Sequence, residues 1–377
     1  MQLVAYGAQD IYLTGNPQIT FFKVVYKRHT NFSMETISQS MDGNATMDDS
    51  ANEASCTIAR NGDLIHKMYI AVLSGSSTGI KYGSAIVQSA ELEIGGQKID
   101  KHTTEWNHIW NELTTPDSKN IGLKAMQSDS GIGASTSADS VSVGMVQVPL
   151  NFYFCRNPGL ALPLIALQYH EVKINFVFGI SGVTGATSGT PIKFYVEYIY
   201  LDTDERRRFA QVSHEYLIEQ LQFQSESASK TTFTLNFNHP VKEVIWTGAP
   251  AATGTTTSGV APVMDADTMD PTGAAQWQLK LNGHDRTSLR HSTYYTRQQI
   301  YDYHTGYGGI QSPDSIAVYS FALKPEEHQP SGTCNFSRID TAQLVCDIDT
   351  NGSLHIYAIN YNVLRIMSGM GGLAYSN

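Results

Sequence analysis

Short segments in which apolar and polar residues alternate recur along most of the chain. Ala90, Leu92 and Ile94 alternate with polar neighbours, as expected for a strand with one buried face. Residues 64–73 and 192–201 are further strand candidates. Clusters of Gly, Asn, Ser and Pro separate such segments and are typical of turns. The pattern predicts a mostly β protein.

The same order of segments occurs twice, with a spacing near half the chain length. The matching segments are 55–59, 64–73, 89–99 and 106–113 in the first half and 231–237, 241–246, 277–285 and 294–303 in the second. Few residues are identical between the halves, so the repeat is inferred from the order of its elements. About eight short strands, one long loop and one short helix in each half predict two tandem antiparallel jelly-roll β-sandwiches.

The Asn-Gly pairs Asn61-Gly62 and Asn351-Gly352 predict tight turns between strands. The run 347–352 also matches the first half of a calcium-binding loop. Ala358, however, occupies the position where such a loop needs a bidentate glutamate. The hairpin interpretation is therefore favoured over a calcium site.

The start of the chain is unusually apolar and predicts an N-terminal helical arm. Asn16 can cap a helix that begins at Pro17, because proline has no N–H to leave unsatisfied. An apolar stripe at helical spacing would then need something to lie against. We interpret the arm as a docking element, and an ordinary core helix of the first domain is the alternative. The suspected assembly residues are Asn16, Pro17, Ile19, Phe21, Phe22, Val25, Tyr26 and His29.

A short basic run follows the first predicted sandwich. Arg206, Arg207 and Arg208 come directly after Asp202, Asp204 and Glu205, which indicates local charge neutralisation at a domain junction. The predicted domains are an arm at 1–29, a first jelly roll at 30–204, a linker at 205–213 and a second jelly roll at 214–377.

Composition fits this organisation and excludes several classes of protein. The 377 residues are 41% hydrophobic, enough for two separate cores. A net charge of −10 argues against direct nucleic-acid binding, which depends on clustered Lys and Arg. No signal peptide or membrane-spanning apolar run is recognised. Four cysteines without C-x-x-C spacing indicate reduced core residues.

No catalytic, metal-binding or cofactor-binding constellation stands out in the sequence. The histidines form neither H-x-H nor H-E-x-x-H, and the P-loop and G-x-S-x-G patterns are missing. We therefore expect neither enzymatic activity nor a cofactor. A carbohydrate-binding jelly roll is one alternative function. Its candidate sugar platforms are Trp106, Trp110, Trp246, Trp277 and the Tyr294/Tyr295 pair.

The run TGNPQITFFKVVYKRHTNF, at 14–32, is similar to the opening of the major capsid proteins of nucleocytoplasmic large DNA viruses. The ending MSGMGGLAYSN, at 367–377, resembles that family's C-terminus. The resemblance implies a double jelly roll that forms homotrimers, each a pseudohexagonal capsomer that contacts neighbouring capsomers in an icosahedral shell.

The same resemblance implies a location for each part of the chain. The loops at 127–144 and 248–275 would project outward as towers, and the arm would lie on the inner side, near minor capsid proteins or an internal membrane. The protein would be made and assembled in the host cytoplasm and function in the virion. A minor capsid or scaffold protein of the same fold is the second alternative.

Overall fold

The chain is described by a computed structural model. The described residues are 8–9, 14–24, 29–48, 51–73, 83–128, 145–179, 188–227, 230–249, 266–308 and 314–375.

Ten strands build the first sandwich. They are β1 (Phe32–Gln39), β2 (Asp42–Gly43), β3 (Asn52–Thr57), β4 (Leu64–Leu73), β5 (Val87–Ile94), β6 (Gln97–Thr103), β7 (Met145–Pro149), β8 (Leu162–Pro163), β9 (Val172–Phe178) and β10 (Ile192–Leu201). One sheet has the order β1-β10-β4-β7, with β8 paired to β4. The facing sheet has the order β2-β3-β9-β5-β6. All pairings are antiparallel.

Eleven strands build the second sandwich. They are β11 (His214–Glu226), β12 (Thr232–Thr234), β13 (Pro240–Gly248), β14 (Gln276–Leu281), β15 (His284–Asp285), β16 (Arg290–His291), β17 (Ala317–Ser320), β18 (Cys334–Asn335), β19 (Ala342–Cys346), β20 (Leu354–Met367) and β21 (Met370–Leu373). The sheet orders are β11-β20-β13-β17 and β12-β19-β14-β15. They repeat the first sandwich nearly strand for strand, which confirms the predicted duplicated jelly roll.

Helices are few and short. They are α1 (Thr104–Thr114), α2 (Asp117–Gln127), α3 (Tyr153–Arg156), α4 (Thr203–Gln211), α5 (Ala266–Met269) and α6 (Gln299–Tyr303). A π-helical turn at Tyr294–Gln298 leads into α6, and 3₁₀ turns lie at Gly83–Ile86, Pro158–Leu160 and Phe336–Arg338. Among the described residues, no helix is long and apolar enough to cross a membrane.

Each sandwich has a core built by the alternation seen in the sequence, and Ile218, Leu364 and Ile366 of the second sandwich pack into the first core. Along β10, Phe194, Val196 and Tyr198 point inward and are fully buried, while the residues between them are more exposed. Helix α1 confirms the predicted amphipathic helix at 106–113. Its N-cap is Thr103, whose hydroxyl accepts a hydrogen bond from the Trp106 N–H at 3.3 Å.

Neither Asn61-Gly62 nor Asn351-Gly352 forms a hairpin, so the hairpin interpretation of Asn351-Gly352 was wrong. β3 pairs with β9 whereas β4 pairs with β10, so Asn61-Gly62 carries the chain from one sheet to the other. A Cβ at Gly62 would lie 2.7 Å from the Cβ of Tyr198, which explains the glycine. Asn351-Gly352 likewise connects β19 and β20 in opposite sheets. A jelly roll alternates between its sheets, and a turn signal alone does not reveal which strands pair.

The predicted linker is mostly helical, because α4 covers most of it. Asp202 caps this helix with its carboxylate, which accepts a hydrogen bond from the Thr203 N–H at 2.8 Å. Arg206 pairs with Asp63 of the first sandwich at 2.9 Å. The first arginine of the basic run is thus neutralised by the preceding domain.

The two loops predicted to be long lie mainly outside the described residues, which omit 129–144 and 250–265. Helices α2 and α5 occupy the parts next to them. Helix α2 was not predicted. It begins after Pro116 and ends with Ser128 in the left-handed conformation, at φ 55°.

Candidate assembly surfaces and the interdomain junction

Helix α1 joins the two sandwiches. It belongs to the first sandwich, but its apolar side chains pack on the outer face of the sheet β11-β20-β13-β17 of the second. The cluster comprises Trp106, Ile109, Trp110 and Leu113 from α1 and Ile245, Ile300, Ile316, Val318, Tyr357 and Ile359 from the second sandwich. All of these side chains are at most 6% exposed. The apolar stripe of this helix therefore stabilises the relative orientation of the two domains.

Polar contacts flank this cluster on both sides. His355 Nδ1 lies 2.8 Å from the Glu105 carboxylate at the start of α1. At the other end, the Gly306 N–H donates to the Leu113 carbonyl at 2.8 Å, and the Thr305 hydroxyl donates to the Thr114 carbonyl at 3.0 Å. A Cβ at Gly306 would lie 2.1 Å from the Glu112 carbonyl oxygen, so only glycine allows this approach of two backbones.

A buried ionic cluster lies beside α1. The Lys242 side chain is 0% exposed, and its Nζ contacts Glu219 Oε1 at 2.8 Å and donates to the Pro325 carbonyl at 2.6 Å. Arg156 of the first sandwich donates to Glu219 Oε2 at 2.9 Å, and its guanidinium lies 3.8 Å from the centre of the Trp110 ring. Both lysine and arginine thus share one carboxylate across the junction.

A second buried ionic cluster is centred on His304, which directly follows α6. Its Nε2 lies 3.1 Å from Glu243 Oε2, and its Nδ1 lies 3.1 Å from Glu326 Oε1. Burial alone would lower the pKa of His304, but the two carboxylates raise it to about 9. Burial would also raise the pKa of Glu243, yet the positive charges of His304 and Lys242 hold it below its usual range. His304 is therefore protonated at neutral pH.

Neither ionic cluster was predicted from the sequence. The members of each cluster are far apart in sequence, so no short motif contains them. His304 belongs to no short histidine motif. The sequence does contain one indication of these clusters: the charged pair Lys242-Glu243 lies inside the apolar strand β13. Both side chains are fully buried, and fully buried charges require partners.

The arm is exposed wherever it is described. Ile19, Phe21, Phe22 and Val24 are 76%, 97%, 97% and 98% exposed, and His29 is exposed as well. Pro17 is exposed and lies outside any helix or strand. Two further predicted arm residues, Val25 and Tyr26, lie outside the described residues.

The prediction of a helix beginning at Asn16 was wrong within the described segment 14–24. Thr14 is helical, Asn16 has φ 50°, and residues 17–24 are not helical. Asparagine in the left-handed conformation followed by proline is typical of the end of a helix. An N-cap needs an extended backbone instead, so the same two residue types permit opposite interpretations.

Of the aromatic residues proposed as sugar platforms, Tyr294 is half-buried, with the Arg290 guanidinium 4.2 Å from its ring centre, and the other five are core residues. Trp106, Trp110, Trp246 and Trp277 are 0–6% exposed, and Tyr295 is 1% exposed. Their ring faces contact other aromatic rings, such as Trp246 with Trp277 at 5.9 Å between centroids. These rings offer no open face on which a sugar could stack.

Comparison with known proteins then decides the family. Residues 205–372 match the family described as large eukaryotic DNA virus major capsid protein, and residues 20–202 match the family described as major capsid protein N-terminus. A major capsid protein of Pyramimonas orientalis virus is 50% identical over 411 residues, covering 100% of this chain and 99% of the relative. The chain belongs to the major capsid proteins of large eukaryotic DNA viruses.

Other members of this capsid family are similar over their whole length. The major capsid protein of Paramecium bursaria Chlorella virus 1 is 42% identical over 448 residues, covering 100% of this chain and 99% of the relative. A quasi-atomic model of the PBCV-1 virus capsid matches with a TM-score of 0.76 and 37% identity, covering 95% of this chain and 100% of that one. The chain is accordingly a structural protein of a virion capsid shell.

The fold extends to more distant capsid proteins. The Faustovirus major capsid protein matches with a TM-score of 0.71 at 14% identity, covering 96% of this chain and 94% of that one. At this identity the similarity concerns the double jelly roll alone.

Proposed function

We propose that this capsid protein assembles as a homotrimer and that each trimer is a pseudohexagonal capsomer of an icosahedral shell. The observation that carries the proposal is the near strand-for-strand repeat of the sandwich within one chain. Three copies of a duplicated domain supply six similar domains, and a ring of three copies closes by rotation. Capsomers of this shape can tile a shell through contacts with neighbouring capsomers.

Sedimentation velocity and native mass spectrometry of the purified chain test the oligomeric state. We expect one dominant species with three times the mass of one chain. A strictly monomeric protein at assembly-like concentration would contradict the proposal.

We further propose that the arm lies on the inner side of the shell, against minor capsid proteins or an internal membrane. Its apolar side chains are almost fully exposed at Phe21, Phe22 and Val24. Such a surface is typical of a segment that another element covers. In the second sandwich, the strand β11 begins directly after the linker, so a sandwich of this type needs no arm to complete its sheets.

Deletion of residues 1–29 tests the role of the arm. We expect a folded trimer that no longer completes shells when it is expressed with the other capsid components. If the truncated chain instead fails to fold, the arm is part of the domain core and the proposal is wrong.

We also propose a purely structural role, without catalysis and without direct contact to the genome, in a protein made and assembled in the host cytoplasm. The net charge of −10 supports the separation from nucleic acid. Four free cysteines are compatible with assembly in a reducing compartment. A gel-shift titration with double-stranded DNA at physiological salt should give no complex with the trimer, and a specific complex would contradict this part of the proposal.

A further inference from the structure

The two sandwiches differ in what covers one of their sheets. In the second sandwich, α1 covers the outer face of the sheet β11-β20-β13-β17. The matching sheet of the first sandwich, β1-β10-β4-β7, has an open face among the described residues. We define this open face by Tyr69, Leu73, Met145, Lys193 and Tyr195.

This open face combines exposed apolar groups with half-buried tyrosines. Leu73 and Met145 are 65% and 46% exposed, and Lys193 is exposed. Tyr69 and Tyr195 stack on each other with ring centroids 5.0 Å apart. Flat aromatic surfaces of this kind are enriched where proteins bind other proteins.

The registers of the two sheets show which residues correspond. Tyr195 lies opposite Tyr69 in the first sandwich, as Tyr357 lies opposite Ile245 in the second. One strand further, Pro149 lies opposite Tyr69 as Val318 lies opposite Ile245. The corresponding residues of the second sandwich, Ile245, Val318 and Tyr357, are 0–1% exposed because α1 covers them.

The second sandwich carries a counterpart of α1, formed by the π-helical turn and α6. Both helices follow the same strand pair: Thr103 lies opposite Ser89, and His291 lies opposite Gln276. The two helices also contact the ends of corresponding strands, β7 in the first sandwich and β17 in the second.

This second contact fixes the register of the two helices. The Asn151 side chain donates to Asn111 Oδ1 at 3.2 Å, and the Ser320 N–H donates to Gln299 Oε1 at 3.2 Å. Asn111 therefore corresponds to Gln299. By position, the four residues of α1 that pack on the second sandwich correspond to Tyr294, Arg297, Gln298 and Tyr301.

Three of these counterpart residues, Arg297, Gln298 and Tyr301, face water instead of a sheet, whereas Tyr294 is half-buried against the core of its own sandwich. Tyr301 is 85% exposed, the Arg297 side chain is 66% exposed, and Gln298 is exposed. They are more polar than the matching residues of α1. A polar and aromatic helix face can remain in water in a free chain and still bind a partner face, as is typical of surfaces that assemble after folding.

We propose that Tyr294–Tyr303 of one copy docks on the open face of the first sandwich of a second copy, as α1 docks on the second sandwich within one chain. The occupant is a second copy because the same helix-on-sheet contact already exists inside this chain, with both surfaces repeated. The inference rests on the proposed trimer, in which the contact occurs three times and closes the ring.

The ion pair between Glu105 and His355 suggests a direct test of the proposed docking contact. These residues correspond by position to Thr293 and Lys193, which lie on the helix side and the sheet side of the proposed contact. The substitution Thr293→Glu would bring a carboxylate close to Lys193 of the neighbouring copy. Purified Thr293→Glu trimers, mixed from isotopically light and heavy chains, are treated with a water-soluble carbodiimide that couples adjacent carboxylates and amines. Cross-linked peptides are then identified by mass spectrometry.

We expect a peptide that joins positions 193 and 293 and contains one light and one heavy chain, together with two- and three-chain bands on a denaturing gel. The matched controls are Thr293→Gln, which introduces no carboxylate, and Thr293→Glu combined with Lys193→Gln. Both should lack the 193–293 peptide. A trimer that yields no such link overturns the docking contact and leaves the trimer proposal standing, whereas a monomeric native chain overturns the trimer proposal itself.

A second variant tests the same contact without cross-linking. Tyr301→Glu should raise the concentration at which half of the chains are trimeric by roughly tenfold or more. Tyr169→Glu, a matched change at a tyrosine that is 76% exposed and outside both surfaces, should leave that concentration unchanged. Equal behaviour of the two variants would overturn the proposal.

Discussion

The protonated His304 between Glu243 and Glu326 predicts a specific dependence of stability on pH. Its pKa is raised to about 9 in the folded chain, compared with 6.5 for an ordinary histidine. A raised pKa contributes stability that is complete below pH 6.5 and is lost as the pH rises through 9. At 1.36 kcal/mol per pKa unit, the contribution is about 3 kcal/mol.

Thermal unfolding followed by circular dichroism between pH 6 and 10 measures this contribution. An unfolding entropy of about 2.1 cal/mol/K per residue converts about 3 kcal/mol into a shift of roughly 4 °C for a chain of this length. The relevant quantity is the difference in Tm between the native chain and His304→Gln. We expect it to be largest near pH 6.5 and to shrink by about 4 °C toward pH 9 to 10, because groups outside the cluster titrate equally in both proteins.

Two further variants make the test specific to the cluster. His284→Gln, at an exposed histidine, should follow the pH profile of the native chain. Glu243→Gln in the His304→Gln background should recover part of the lost Tm, because a buried carboxylate left without a partner costs about 3–5 kcal/mol. Parallel pH profiles of the native chain and His304→Gln from pH 6.5 to 9 would refute the reasoning.

Three other results are expected from the same structure. Trp110→Ala should destabilise the chain by about 3–5 kcal/mol and separate thermal unfolding into two transitions in calorimetry, because it removes a buried ring from the first-sandwich helix that packs on the second sandwich. A small loss with one transition would contradict this role. Gly306→Ala should lower the Tm, because the new Cβ would overlap the Glu112 carbonyl oxygen. The control Gly122→Ala, where no atom lies within 4 Å of the new Cβ, should be neutral or stabilising by up to about 1 kcal/mol. Equal Tm shifts of the two variants would contradict the packing argument. Deletion of residues 1–29 should leave the Tm of the sandwiches nearly unchanged.

The fold was largely predictable because half-buried strands leave an alternating pattern. Strand β10 was predicted with its observed bounds, and α1 was recognised from its apolar spacing. The repeated order of elements then indicated two equal domains. What the spacing of α1 could not show is that its stripe packs on the other sandwich.

Strand β11 illustrates why other elements were missed. Its apolar residues do not alternate regularly with polar ones, and two of its glutamine side chains bond to backbone groups as a neighbouring strand would. The Gln222 side chain donates to the Asn238 carbonyl at 2.7 Å and accepts from the Asn238 N–H at 2.9 Å. Gln224 makes the same pair of contacts with Thr234 and Asn236. Because these amides satisfy backbone groups, a segment rich in polar residues can still form a strand.

Strand β1 escaped prediction for a different reason. It lies at a sheet edge and is exposed along most of its length, so no buried face imposes an alternating pattern. The arm residues share this property. On the proposed function, the pattern of the arm reflects a partner that one chain does not contain.

The central claim, that three copies of this duplicated sandwich form one capsomer, is tested most directly by electron microscopy of the purified chain. Two-dimensional class averages should show particles with a hexagonal outline and threefold symmetry, built from six lobes of similar size. Isolated two-lobed particles, or rings with a different number of lobes, would contradict the claim.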